Sequence, residues 1–209
     1  ANNAYGTSVL YLSADNSGYG GTFTVNAASS GWNGGQVSVN HNYALRNANL
    51  VMNTPRDILF GSGVTAPVFG SLAGTGNLTI PSGVTLSVGN NNTSSSFAGA
   101  LLGSGALTKI GAGTLTLAGT NACTGATTIS AGTLRVLNSL ASTAVTVANG
   151  GTLGGNGVIS GTVTVQSGGT LAPGTNAVGT LTTGAQTWYG GGRYTFELNN
   201  ATNSAGWDR

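Results

Sequence analysis

Aliphatic and polar residues alternate along this chain in very short bursts. Leu115-Thr116-Leu117, Leu134-Arg135-Val136, Val145-Thr146-Val147 and Val163-Thr164-Val165 each set two aliphatics on one side of a strand and a polar residue on the other. Glycine clusters punctuate these bursts: Gly111-Ala112-Gly113, Asn149-Gly150-Gly151, Gly154-Gly155-Asn156-Gly157 and Ser167-Gly168-Gly169. Strands this short cannot build a wide sheet, but they can form the sides of a coil. Gly-Thr-Leu recurs so that Leu115, Leu134, Leu153 and Leu171 fall 19, 19 and 18 residues apart (134−115, 153−134, 171−153). Ile110, Ile129, Val147 and Val165 keep nearly the same beat. A period near twenty residues in short β-type segments predicts a solenoid.

Stacked coils would turn the four leucines into one internal ladder and Ile110, Ile129, Val147 and Val165 into another. Each buried aliphatic contributes roughly 1.5–3 kcal/mol, and neighbouring coils supply the face that a single coil lacks. At about 19 residues per coil the chain would make on the order of eleven coils and a body about 50 Å long, with strands about 4.8 Å apart. The first hundred residues are less regular but carry strand-like segments at 21–25, 36–39, 48–52, 58–60, 77–80 and 84–88. Pro55, Pro67, Pro81 and Pro173 are expected at corners, where no ladder donor is lost. Tyr43 to Ala48 has the pattern of one helical turn, and Gly89 to Ser96 that of a protruding polar loop. The fold expected is all-β, a single solenoid over residues 1–209. Aromatic-richer coils cover 1–100, regular repeats cover 101–185, and a C-terminal coil or cap covers 186–209.

Composition sharpens this picture. The 209 residues are only 5% charged, against a usual value of about 25%, and no charge occurs from Ile58 through Thr108 or from Val136 through Gly192. A net charge of +2 carried by so few groups makes no basic patch, which argues against nucleic acid as a partner. No run approaches the ~20 apolar residues of a transmembrane helix. Thr, Ser, Asn and Gly provide the polarity instead. The opening Ala1-Asn2-Asn3-Ala4 lacks the basic stretch and apolar core of a signal peptide and reads as a mature N-terminus. One cysteine, Cys123, excludes an internal disulfide and reads as a passive corner residue.

Aromatics are absent from Ala98 through Thr187 and gather on either side. Solenoid ends expose strand edges and an open core, so Tyr5, Tyr11, Trp188, Tyr189, Tyr194, Phe196 and Trp207 are candidates for an end interface or cap. Catalytic chemistry has little support. Glycan hydrolysis needs paired carboxylates, and Asp15, Asp57, Glu197 and Asp208 are scattered. Arg56-Asp57 reads as a surface ion pair, and His41 is the sole histidine, with no metal-ligand set around it. No cofactor, metal or catalytic residue is expected.

Residues 107–136 read Leu-Thr-Lys-Ile-Gly-Ala-Gly-Thr-Leu-Thr-Leu-Ala-Gly-Thr-Asn-Ala-Cys-Thr-Gly-Ala-Thr-Thr-Ile-Ser-Ala-Gly-Thr-Leu-Arg-Val. This stretch resembles the autotransporter-associated β-strand repeat, also called the passenger-associated transport repeat, which usually carries Tyr at the position of Cys123 and Gly at that of Ala126. Gly151 to Gly157, Gly169 to Gly174 and Gly192 to Leu198 with Gly206-Trp207-Asp208 resemble flanking blocks of such proteins. The resemblance implies a right-handed parallel β-helix exported to the bacterial surface. Relatives commonly continue past the point where this chain stops, at Arg209, into a barrel or sorting signal.

The leading functional expectation is therefore an extracellular structural solenoid, a fibre subunit or stalk that self-associates end to end. The alternative is an adhesin binding surface glycans, with Trp32 and Trp188 as stacking platforms. A polysaccharide lyase or hydrolase is the third reading.

Overall fold

The computed structural model describes residues 9–26, 36–54, 58–175 and 177–197. Among them every regular element is a strand, and the named strand pairs all run parallel. The strands stack as a β-solenoid of about eight turns.

Each regular turn visits three walls. The first wall is built by Thr85–Val88, Ala106–Lys109, Thr127–Ile129, Ala144–Val147, Thr162–Val165 and Gln186–Trp188. The second contains Ser95–Phe97, Thr114–Leu117, Gly132–Val136, Gly151–Gly155, Thr170–Pro173 and Arg193–Tyr194. The third consists of two-residue strands, from Leu78–Thr79 through Leu101–Leu102, Thr120–Asn121, Ser139–Leu140 and Val158–Ile159 to Thr182–Thr183. In the earlier turns the first two walls merge, because Leu45–Met52 and Val68–Gly74 are long enough to run along both. Val9–Leu12, Gln36–Val39 and Ile58–Phe60 form a separate parallel sheet, whose last strand contacts the start of the third wall.

The interior is a column of aliphatic rows. Leu115, Leu134, Leu153 and Leu171 stand in register on the second wall, all essentially inaccessible. Val88, Ile129, Val147 and Val165 belong to one inward row of the first wall. Phe69 and Phe97 fill the wider middle turns, and Leu50, Met52 and Leu72 fill the merged walls.

Several expectations from the sequence need correction. The number of turns is about eight rather than eleven, giving a stack about 40 Å long at the parallel-strand spacing. Coil length is not constant. The register advances 27 residues from Leu10 to Val37 (37−10), 23 from Leu78 to Leu101 (101−78) and 24 from Val158 to Thr182 (182−158).

Ile110 is not in the inward row. Leu107 pairs with Thr127 and Lys109 with Ile129, a step of 20 residues, so the side chain stacked between Val88 and Ile129 is that of Lys109. Ile110 sits just past the strand at the corner, half-buried. A one-residue offset moves a side chain to the opposite face, and the uniform 19-residue beat concealed that offset. Tyr43 to Ala48 does not make a helical turn: a tight turn at His41–Ala44 leads straight into the strand Leu45–Met52. Pro173 closes a strand instead of occupying a corner.

Gly89 to Ser96 is folded down onto the stack rather than protruding as a unit. Asn90 Nδ2 donates to Asn47 Oδ1 (2.7 Å) and Asn91 Nδ2 to Asn49 Oδ1 (2.8 Å), two turns below. Gly70 lies on the turn between, packed so tightly against the Asn47 and Ala48 backbone that a Cβ would collide with it.

Candidate functional site

Lys109 is the most unusual residue in the core. Its strand, Ala106–Lys109, alternates outward and inward positions, so Leu107 and Lys109 share the interior. The residue is 1% exposed. Its ammonium curls into the corner between the first and second walls and donates to the carbonyls of Ile110 (2.6 Å), Gly111 (2.8 Å) and Ala131 (3.2 Å). Two of these carbonyls belong to its own turn and one to the turn above. Gly111 adopts φ +69° there, and a Cβ on it would collide with the Gly89 carbonyl. Burial lowers the Lys109 pKa from 10.5 to about 8. The signal in the sequence was its parity with Leu107.

A second polar residue lies in the interior, on the third wall. Asn121 is 1% exposed and has a full set of partners. Its Oδ1 accepts from Leu101 N (3.0 Å), while Nδ2 donates to Gly119 O (2.8 Å) and Ser139 O (3.0 Å). It thereby ties three successive turns together. Beside it Cys123 is free and buried, and desolvation raises its thiol pKa. Ser142, also buried, lies within hydrogen-bonding distance of Thr127 Oγ1 (3.0 Å). His41 is held by its own turn, with Nδ1 accepting from Tyr43 N (3.2 Å). Asn121, Ser142 and His41 each find partners within the stack. Among the described residues no cluster of metal-ligating side chains occurs.

The outer walls are rows of small neutral side chains. On the first, Ser87, Thr108, Thr128, Thr146, Thr164 and Thr187 stand in register over six turns. On the second, Thr114, Thr133, Thr152 and Thr170 lead up to Arg193. The adjacent second-wall row reads Thr116, Arg135, Gly154, Ala172. Loss of side-chain bulk above Arg135 leaves a notch of about 170 Å³, lined by Thr133, Arg135, Thr152, Gly154, Ala172 and Glu197 among others.

Trp188 and Tyr194 continue the inward rows. Trp188 pairs with Val165 and Tyr194 with Leu171, yet they are 40% and 53% exposed. Their rings lie 6.2 Å apart, and Tyr194 and Phe196 are separated by 6.0 Å. Trp188 Nε1 donates to Gln186 Oε1 (3.0 Å). Trp188 thus belongs to the last described turn, in core register and part-exposed. Tyr189 is exposed beside this cluster, and Tyr11 is exposed on Val9–Leu12 at the opposite end. Tyr5, Trp32, Trp207 and the Arg56-Asp57 pair lie outside the described residues. Of the carboxylates, Asp15 belongs to the first turn, where it accepts from Ser17 N (2.8 Å), and Glu197 follows the last strand.

No curated protein and no solved structure matches the chain. The family model of the passenger-associated-transport-repeat matches residues 107–136, the stretch that begins inside Ala106–Lys109 and ends with Gly132–Val136 and therefore includes the buried Lys109 and Asn121.

Proposed function

We propose that the protein is a structural passenger of the autotransporter type: a neutral β-solenoid shaft displayed at a bacterial surface and extended by end-to-end association. The transport repeat supports the surface location. The observation that carries the assembly reading is the last described turn, where Trp188 and Tyr194 occupy core-register positions yet remain 40% and 53% exposed. Their strands, Gln186–Trp188 and Arg193–Tyr194, each pair on one side alone within the described sheet. A further rung supplied by a second copy would bury the rings and pair the free edge. Because the two ends differ, such contacts are heterologous and do not close into a ring.

Analytical ultracentrifugation and negative-stain microscopy across a concentration series test this. Rods that lengthen with concentration are expected, and Trp188→Asp should return them to single units by placing an unpaired carboxylate in the joint. Single units at every concentration, or rods indifferent to the substitution, would refute end-to-end assembly. Among the described residues the two carboxylates, Asp15 and Glu197, sit at opposite ends of the stack, far beyond the ~5–10 Å that a glycosidase pair spans, while Asp57 and Asp208 lie outside the described residues.

A further inference from the structure

End-to-end assembly leaves the Arg135 notch unused. Arg135 stands midway along the second wall, in an outward row otherwise made of Thr, Gly and Ala over the turns around it. Among the described residues it forms no ion pair or hydrogen bond within the protein, so its five donors face the notch and solvent. Glu197 lines the same notch although it lies 62 positions further along the chain (197−135). The fold therefore converges a guanidinium, a carboxylate and the threonine side chains of Thr133 and Thr152 on a space of about 170 Å³.

We propose that this notch binds one neutral sugar ring of a surface or extracellular glycan. The chemistry selects that ligand by exclusion and by fit. A phosphate or sulfate would meet Glu197, and a metal ion or an organic cation would meet Arg135. A sugar ring offers both hydroxyl donors, which the Glu197 carboxylate accepts, and hydroxyl oxygens, which the Arg135 fork serves in pairs. Gly154 and Ala172 put no bulky side chain into the notch, which leaves room for a ring between Thr133 and Thr152 on one side and Glu197 on the other. The missing side chain at Gly154 is enforced from above, because a Cβ there would come within 2.7 Å of the Ala172 carbonyl. The site is complete within one copy and therefore does not require end-to-end association.

The experiment screens the protein, in wild-type form and as the assembly-deficient Trp188→Asp variant, against an array of neutral and acidic oligosaccharides. Hits are then titrated by saturation-transfer NMR. Binding of neutral glycans is expected in both backgrounds, weakened at least tenfold by Arg135→Met and by Glu197→Gln and unchanged by Thr128→Ala on the first wall. Circular dichroism identical to wild type establishes that each variant is folded. Absence of any bound glycan at millimolar concentration, or titrations insensitive to both notch substitutions, would overturn the proposal. So would binding restricted to acidic glycans that survives Glu197→Gln, because the notch would then be an anion site.

Discussion

Replacing Lys109 with methionine keeps the aliphatic stem between Val88 and Ile129 and deletes only the ammonium. Two opposing effects follow. The carbonyls of Ile110, Gly111 and Ala131 lose their donor, at a cost of about 1–3 kcal/mol for each one that water cannot reach. A buried charge also disappears, which is favourable. With the corner partly open to water, Lys109→Met should lower stability at pH 7 by about 2 kcal/mol. The pH dependence separates the effects. The Lys109 pKa is about 8 when folded, against 10.5 for the ordinary side chain. Between those values the unfolded chain holds a proton that the folded chain has released, so raising the pH disfavours unfolding. Wild-type stability should therefore climb by up to about 3 kcal/mol between pH 8 and pH 10.5 relative to the methionine variant, with no relative change below pH 7. Urea denaturation of both proteins, followed by circular dichroism, measures the difference, and contributions from groups common to both proteins cancel in the subtraction. A flat difference would mean that the three carbonyls hold the ammonium charged against its burial. A falling difference would mean that they overcompensate. Either would refute the reasoning that desolvation dominates at this corner.

Leu134→Ala empties the middle of the Leu115–Leu134–Leu153 row and should cost about 2–5 kcal/mol by the same urea assay. Gly155 has φ +113°, and a Cβ there would run into the Val136 backbone. Gly155→Ala should cost about 1–3 kcal/mol from backbone strain alone and accelerate amide exchange at the adjoining corner. Cys123 should resist a thiol reagent in the native protein at pH 8 and react promptly in denaturant, because it is buried with a raised pKa; prompt native labelling would place it elsewhere.

The walls were easiest to read where coil length is constant. The 19-residue steps through Leu115, Leu134 and Leu153 are the observed pairings. The same beat failed at Ile110 because the adjacent wall advances 20 residues at that step, and a repeat period averages over such differences. Strand parity was the better guide there: two residues beyond inward Leu107 is Lys109. The early turns hid their length because Leu45–Met52 runs along two walls with no glycine, and Val68–Gly74 passes Gly70 without breaking the strand. Contacts such as Asn91 to Asn49 and the convergence of Arg135 and Glu197 span tens of residues and follow no period. They emerge only once the register of several turns is known.

The charge-poor composition acquires a physical meaning from the walls. In a parallel stack each outward position is repeated about 4.8 Å above and below, so a charged residue in every turn would form a column of like charges repelling along the shaft. Threonine avoids that repulsion, and its hydroxyl keeps the surface hydrated while its branched β-carbon suits the pleat. The cost is a weaker defence against edge pairing, which natural sheets usually prevent with charge. The last described turn follows the same economy: Arg193 is the charge within its strands, and the inward rows end on Trp188 and Tyr194. A side wall that tolerates long stacking is what the proposed end-to-end association requires. Arg135 breaks the neutral row at a single level, where it adds no columnar repulsion. With Glu197 on the same notch, that single break in the neutral row makes it the place on the wall to look for recognition.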